Sequence, residues 1–145
     1  MERSYRRGSP GAIIVRLVSA SREPIHAPGA PAAIGPYSHA VRSGGLLFCS
    51  GQIPLDAESG EIVVVGPGAQ ARRCLENLEA VCAAAGTTLA RAVRITIYMT
   101  ELSGFGEVGE VCAEFFPSDP PARVTIGVAE LPRGAGVEID AIVAI

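Results

Sequence analysis

The amino-acid sequence predicts an α+β domain, a mixed β-sheet with two helices packed on one face. Three observations carry that prediction. Val93, Ile95, Ile97 and Met99 alternate with Arg94, Thr96, Tyr98 and Thr100, the period of a half-buried strand. Leu75, Leu78, Cys82 and Ala85 recur at helical spacing, with Pro67 near the start and Gly86 just past the end. The order of segments (strands, helix, strand, helix, two strands) then gathers the helices on one side of one sheet.

Taken in order, residues 1–22 read as an extension, either flexible or an added edge strand. Arg3, Arg6 and Arg7 lead into a Gly-Ser-Pro-Gly hinge, and Arg16 breaks the apolar run from Ala12 to Val18. Residues 23–145 form the single domain. Ala27-Pro28-Gly29-Ala30-Pro31 is its entry loop. A Ser43-Gly44-Gly45 turn precedes a buried strand at Leu46–Cys49. Asp56 to Gly60 is a second turn, and the β-branched run Ile62–Val65 predicts a strand. After the first helix and the Val93–Met99 strand, a second helix is expected from Ser103, as N-cap, through Phe105, Val108, Cys112 and Phe115. It ends before Pro117. Gly104, Gly106 and Gly109 fall within it, and an interior glycine costs a helix about 1 kcal/mol relative to alanine, so a late start or mobility is expected. Two strands close the chain. In Arg123–Val128 the apolar Val124, Ile126 and Val128 alternate with Arg123 and Thr125. In Val137–Ile145, Val137, Ile139, Ala141 and Val143 face one way and Glu138 and Asp140 the other.

Composition narrows the function. The chain has 145 residues, enough for one domain with a genuine core, and a formal charge of −3 with no basic face to follow a phosphate backbone. All twelve basic residues are arginine, which excludes a Schiff-base lysine and a P-loop. Cys49, Cys74, Cys82 and Cys112 stand singly in apolar periodic segments and read as buried, reduced thiols of a cytoplasmic protein. A catalytic thiol at Cys49 beside His39 would lack a third, orienting group. His26 and His39 are too few and too far apart for a metal site, and none is expected. The longest clean apolar run is far short of the roughly 20 residues of a membrane span.

Arg123 is the most informative residue. A guanidinium is a fork of donors that matches a carboxylate with two parallel bonds, so it can grip and orient a small organic acid. Alone it reads as a surface arginine, but four segments stand with it. They are Ala30-Pro31-Ala32-Ala33-Ile34-Gly35-Pro36-Tyr37-Ser38, Ser50-Gly51-Gln52-Ile53-Pro54-Leu55-Asp56, Pro121-Ala122-Arg123, and Leu131-Pro132-Arg133-Gly134 leading to Val137-Glu138-Ile139. Gln70, Asn77 and Ala85-Gly86 fit the same pattern.

In this order and spacing the segments resemble the RidA/YjgF family of reactive-intermediate deaminases, from about Arg22 to Ile145. The resemblance implies a chorismate-mutase-like sandwich, a homotrimer with sites in clefts between subunits, and no cofactor. It implies hydrolysis of 2-imino acids and their enamine tautomers (2-aminoacrylate, 2-iminopropanoate, 2-iminobutanoate) to 2-keto acids and ammonia. On that analogy Arg123 holds the substrate carboxylate and Glu138 positions the attacking water. Tyr37 enters the site through its hydroxyl, and Ser50 and Gly51 line it. An iminium carbon is already electrophilic, so orientation and one proton-transfer group suffice.

The chain departs from that pattern in places. Gly109 stands where many members have asparagine, Cys112 replaces a common aromatic, and His39 a common glutamine. Thr125 keeps a hydroxyl beside Arg123. If the last two strands pair antiparallel through Leu131–Gly136, Glu138 lies opposite a residue near Ala129, on the order of 20 Å from Arg123. Cooperation between them then needs two subunits. The rival readings are a non-catalytic regulator binding keto or imino acids, and an RNA-cleaving translation inhibitor, which the charge and the absent lysines oppose.

Overall fold

The computed structural model describes residues 21–145. All but the last two residues of the expected extension lie outside that range. The described residues form strands β1 (Glu23–Ile25), β2 (Ala40–Ser43), β3 (Leu46–Gln52), β4 (Ala92–Met99), β5 (Ala122–Gly127) and β6 (Val137–Ala144). Helix α1 (Pro67–Ala84) falls between β3 and β4, and α2 (Phe105–Phe115) between β4 and β5. The strands make one sheet in the order β1-β2-β3-β6-β4-β5, antiparallel except for the parallel pair β4/β5. The mixed sheet with two helices is the α+β architecture that the sequence predicts. None of the described helices is long and apolar enough to cross a membrane.

Local chemistry explains the elements. The β2–β3 hairpin turns at Gly44 and Gly45, with φ of 60° and 80°, the two positive values of the tight turn that matches strand twist. Helix α1 has Pro67 in its first turn, where the missing N–H costs nothing. Its end is closed by Gly86 at φ 78°, with Thr87 N–H donating to Cys82 O and Gly86 N–H to Ala83 O. The Thr87 hydroxyl then donates to Ala144 O, tying the helix end to β6. Leu75, Leu78, Cys82 and Ala85 are buried, as their spacing predicts. They face Ile95, Ile97 and Met99 of β4 and Val137, Ile139, Ala141 and Val143 of β6 in one continuous core.

The structure corrects three expectations and shows which way β5 faces. Ile62–Val65 is not a strand: only Ile62 bridges, to Leu55, and Val65 is 93% exposed. Its β-branched residues have no neighbouring strand to pair with, so propensity goes unused. Ser103 does not cap α2; a short 3₁₀ turn, Leu102–Gly104, precedes a helix that starts late, at Phe105. β5 does not pair with β6. It returns through α2 to lie parallel to β4, the crossover that parallel strands require, and β6 takes β4's other edge. Finally, β5 turns its apolar face away from the helices. Arg123 and Thr125 are opposite the buried Ile95 and Ile97, so Val124 and Ile126 lie on the sheet face the helices leave open. Phe48 and Ile142 pair with each other on that same face. Phe48 is 44% exposed and Ile126 42%.

Gly104 is where the two helices lock. A Cβ there would sit 2.6 Å from Pro67 Cγ and 2.7 Å from its Cβ, inside a rigid ring. Gly104→Ala should therefore lower stability by about 1–3 kcal/mol through overpacking. Chemical denaturation of the variant checks this, and an unchanged midpoint would mean that the α1–α2 junction is looser than the structure describes.

Candidate active site

Two cavities hold the residues singled out in the sequence. The first, of about 250 Å³, is lined by Ile34, Tyr37, Ser50, Gly51, Pro132 and Glu138. Its floor comes from a bulge. Cys49 is opposite Ala141 but Gln52 is opposite Ile139, so β3 carries one extra residue at Ser50–Gly51. Such a bulge re-aims the strand locally. A Cβ at Gly51 would overlap the Glu138 carboxylate, so glycine there lets Glu138 keep its place in the cavity. Ser50 donates its hydroxyl to Ser38 O at 2.7 Å, joining the strand to the loop that carries Tyr37.

That loop is pinned by a residue with no assigned role in the sequence. Buried His39 accepts Ala27 N–H on Nδ1 at 3.1 Å, so Nε2 carries the proton and donates to Pro31 O at 2.8 Å. Both nitrogens are thereby used. The neighbouring Cys82 thiol and burial push the Cys49 thiol up. A Cys49–His39 catalytic pair is excluded. Tyr37 is partly exposed, and its hydroxyl accepts Ile34 N–H at 3.2 Å, which leaves its own proton free.

Burial raises the Glu138 carboxyl above its ordinary value, and the neighbouring Asp140 adds to the effect. Asp140 is two residues along the same strand on the same face, and accepts the Tyr98 hydroxyl at 2.9 Å. Its part was not legible in the sequence, where Asp140 is only the next polar residue of an alternating strand.

The second cavity, of about 360 Å³, lies between α2 and the start of β5. Arg123 forms its rim, and Ile95, Gly109, Cys112, Phe116 and Pro121 contribute its walls. The guanidinium carbon of Arg123 stands 5.4 Å from the centre of the Phe105 ring, a cation–π contact that holds it against α2. Burial pushes the Cys112 thiol up, against the pull of Arg123. Thr125 is one pleat further along β5 on the same face as Arg123.

Among the described residues, the salt bridges use Arg42, Arg72, Arg73 and Arg133; Arg123 has no carboxylate partner and Glu138 no cation. The predicted residues therefore divide into Tyr37, Ser50, Gly51 and Glu138 in one cavity, and Arg123 and Gly109 in the other, with Thr125 nearby. Strand β4 fixes the separation. Arg123 is opposite Ile95 on one side, and Glu138 opposite Tyr98 on the other. Their backbones are then roughly 14 Å apart, less than the 20 Å of the expected hairpin. The hairpin was wrong, yet the residues are kept apart more firmly, because Ile95 and Tyr98 point to opposite faces of the sheet.

Known proteins share this arrangement of strands and loops. The sequence model described as Endoribonuclease L-PSP matches residues 27–145. Protein DfrA of Myxococcus xanthus is 51% identical over 124 residues, covering 84% of this chain and 95% of that protein. The 2-iminobutanoate/2-iminopropanoate deaminase of Mus musculus is 41% identical over 126 residues, covering 87% and 93%. The crystal structure of RidA from an Antarctic Psychrobacter superposes with a TM-score of 0.81 at 40% identity, over 85% of this chain and 99% of that one. Because these matches span the strands and loops that build both cavities, the chain belongs to the RidA/YjgF family, whose sequence model carries the description Endoribonuclease L-PSP.

Proposed function

We propose that this protein hydrolyses 2-imino acids and their enamine tautomers to 2-keto acids and ammonia, in clefts between the subunits of a homotrimer. The observation that carries the reading is the pair of unpartnered charges, Arg123 and Glu138, on opposite faces of one sheet. A substrate with a carboxylate at one end and a cationic nitrogen near the other can use both only where one protomer's Arg123 meets the next protomer's Glu138. The exposed Phe48 and Ile126 give such a copy an apolar surface to cover. Two different surfaces combine in each site, as in a ring of head-to-tail contacts. Relatives named as imine deaminases, in mouse and in the mite Dermatophagoides farinae, support the same chemistry.

In the proposed reaction Arg123 takes the carboxylate with two parallel hydrogen bonds. Thr125 adds a hydroxyl beside it. Glu138 accepts a proton from water as the water oxygen bonds to the iminium carbon, and the C=N π pair moves to nitrogen. The Tyr37 hydroxyl, with its proton free, stabilises the resulting carbinolamine. Glu138 then returns its proton to that nitrogen and takes the hydroxyl proton as the C=O bond forms and the C–N pair leaves on ammonia, which finally carries that proton away as ammonium. Iminium and water become keto acid and ammonium, with no net proton on the enzyme and no requirement for an external cofactor.

Two outcomes test the proposal. Arg123→Ala and Glu138→Gln should each lose on the order of 10²–10⁴-fold in imine hydrolysis, the usual contribution of a positioned proton-transfer group. If the sites are shared, co-refolding equal amounts of the two dead variants should restore activity at about a quarter of the sites, those joining an intact arginine to an intact glutamate. Activity is read with 2-iminopropanoate generated by an amino-acid oxidase and trapped competitively with semicarbazide. No recovery in the mixture would assign the whole site to one protomer.

The second outcome is a pH profile. Glu138 has to be ionised to accept a proton, and burial and Asp140 hold its carboxyl above the ordinary 4.5. The acid limb of kcat/KM should lie above that value. Asp140→Asn removes the neighbouring negative charge, so the limb should move to lower pH. A limb that stays in place would separate the observed titration from Glu138.

A further inference from the structure

We infer that the cavity beside Arg123 is a side-chain pocket, and that it selects 2-imino acids bearing a bulky apolar group, branched or aromatic, over 2-iminopropanoate. The inference rests on the proposed grip of Arg123 on the substrate carboxylate and names the substrate class of that site. Apart from the guanidinium at the rim, the walls are apolar: Ile95 from β4, Cys112 and Ala113 from the end of α2, Phe116 just beyond it, and Pro121 before β5. A carboxylate held on Arg123 brings the neighbouring carbon and its substituent to that opening.

Residue size makes the space. A Cβ built on Gly109 meets only Arg123 Nη1, at 3.9 Å, so the hollow exists because position 109 has no side chain and not because the backbone forbids one. The small side chains of Cys112 and Ala113 on the following turn leave the same wall thin. The magnitude decides what fits. An apolar cavity of roughly 150 Å³ takes a benzene ring, and this one is about 360 Å³. A methyl group would leave it filled with water, whereas an isobutyl or benzyl group would displace that water onto apolar walls. Each methylene seated in such a pocket is worth roughly 10- to 200-fold in kcat/KM.

The test compares 2-imino-4-methylpentanoate and 2-imino-3-phenylpropanoate with 2-iminopropanoate, each generated in situ from its amino acid. Alongside, calorimetry measures binding of 4-methyl-2-oxopentanoate, phenylpyruvate and pyruvate, which requires no turnover. The full chain should favour at least one bulky imine by about tenfold or more in kcat/KM. Gly109→Asn should reduce that ratio about tenfold by filling the hollow. Ala113→Leu, a change that suits an exposed helix position, should reduce it in the same direction. The order of benzyl and isobutyl distinguishes an aromatic from a branched preference. Turnover of all three imines at equal kcat/KM, with ratios unmoved by either variant, would overturn the pocket and leave the deaminase reading standing. Tighter binding of a bulky keto acid than of pyruvate, with no imine hydrolysed, would support the pocket and overturn the deaminase reading. Failure to hydrolyse any of the three imines, together with failure of every keto acid to bind, would overturn both.

Discussion

The insertion of β6 between β3 and β4 is the constraint on which the rest of the molecule depends. Val137, Ile139, Ala141 and Val143 are buried beneath the helices, and burial of each valine or isoleucine is worth roughly 1.5–3 kcal/mol. A strand has a side-chain period of two, so that burial drives Glu138 and Asp140 onto the opposite face. Because β4 pairs with β6 on one edge and β5 on the other, the same register puts Arg123 on the helix side. A one-residue slip of β6 would bring Glu138 to the helix side and expose the strand's core residues. The placement of the two charges is therefore protected by the hydrophobic core itself.

The environment of Glu138 is a compromise between access and reactivity. Half-buried, with Asp140 as a neighbour and no cation among the described residues, its carboxylate is less stable than one in water. Asp140 is partly satisfied by the Tyr98 hydroxyl and makes no salt bridge among the described residues. Gly51 clears the space in front of the carboxylate, and the His39 bonds hold the Tyr37 loop over it. These features cost stability locally, and they leave an acid poised closer to neutrality than an ordinary surface glutamate.

Much of this was legible in the sequence, because the strongest signals were local. The alternation in β4 and β6, the Pro67 and Gly86 boundaries of α1, and the late start of α2 all follow from side-chain period and backbone chemistry. Pairing was not legible. Nothing in residues 117–145 distinguishes a β5–β6 hairpin from a β5 that lies parallel to β4, since the decision rests on how α2 packs across the sheet. The strands β1 and β2 are short and carry little periodicity, and the Ile62–Val65 run has strand composition without a partner. At the site, Tyr37, Ser50, Gly51 and Glu138 were found as motif residues and do gather in one cavity. The roles of His39 and Phe105, and the bond that Asp140 accepts from Tyr98, depend on contacts across 12 or more residues, which spacing alone does not reveal.

The division of charge also separates the proposed substrate from its product. An iminium acid is cationic at nitrogen and anionic at the carboxylate, so it complements an ionised Glu138 on one side and Arg123 on the other. Its positive charge stabilises the carboxylate form of Glu138 and offsets the burial and Asp140 effects that raise the carboxyl. The keto acid keeps the carboxylate and loses the cation, so the same glutamate has no counter-charge once ammonium departs. A monoanion then faces the half-buried Glu138 and Asp140 pair, held only by Arg123. Repulsion of that kind costs little while the iminium is present and favours release after hydrolysis. A site with a second arginine beside Glu138 would pair the acid permanently, lower its proton affinity and hold the product. The absence of a cation at Glu138 among the described residues is thus the electrostatic feature that suits this sheet face to hydrolysing an iminium and not to retaining a keto acid.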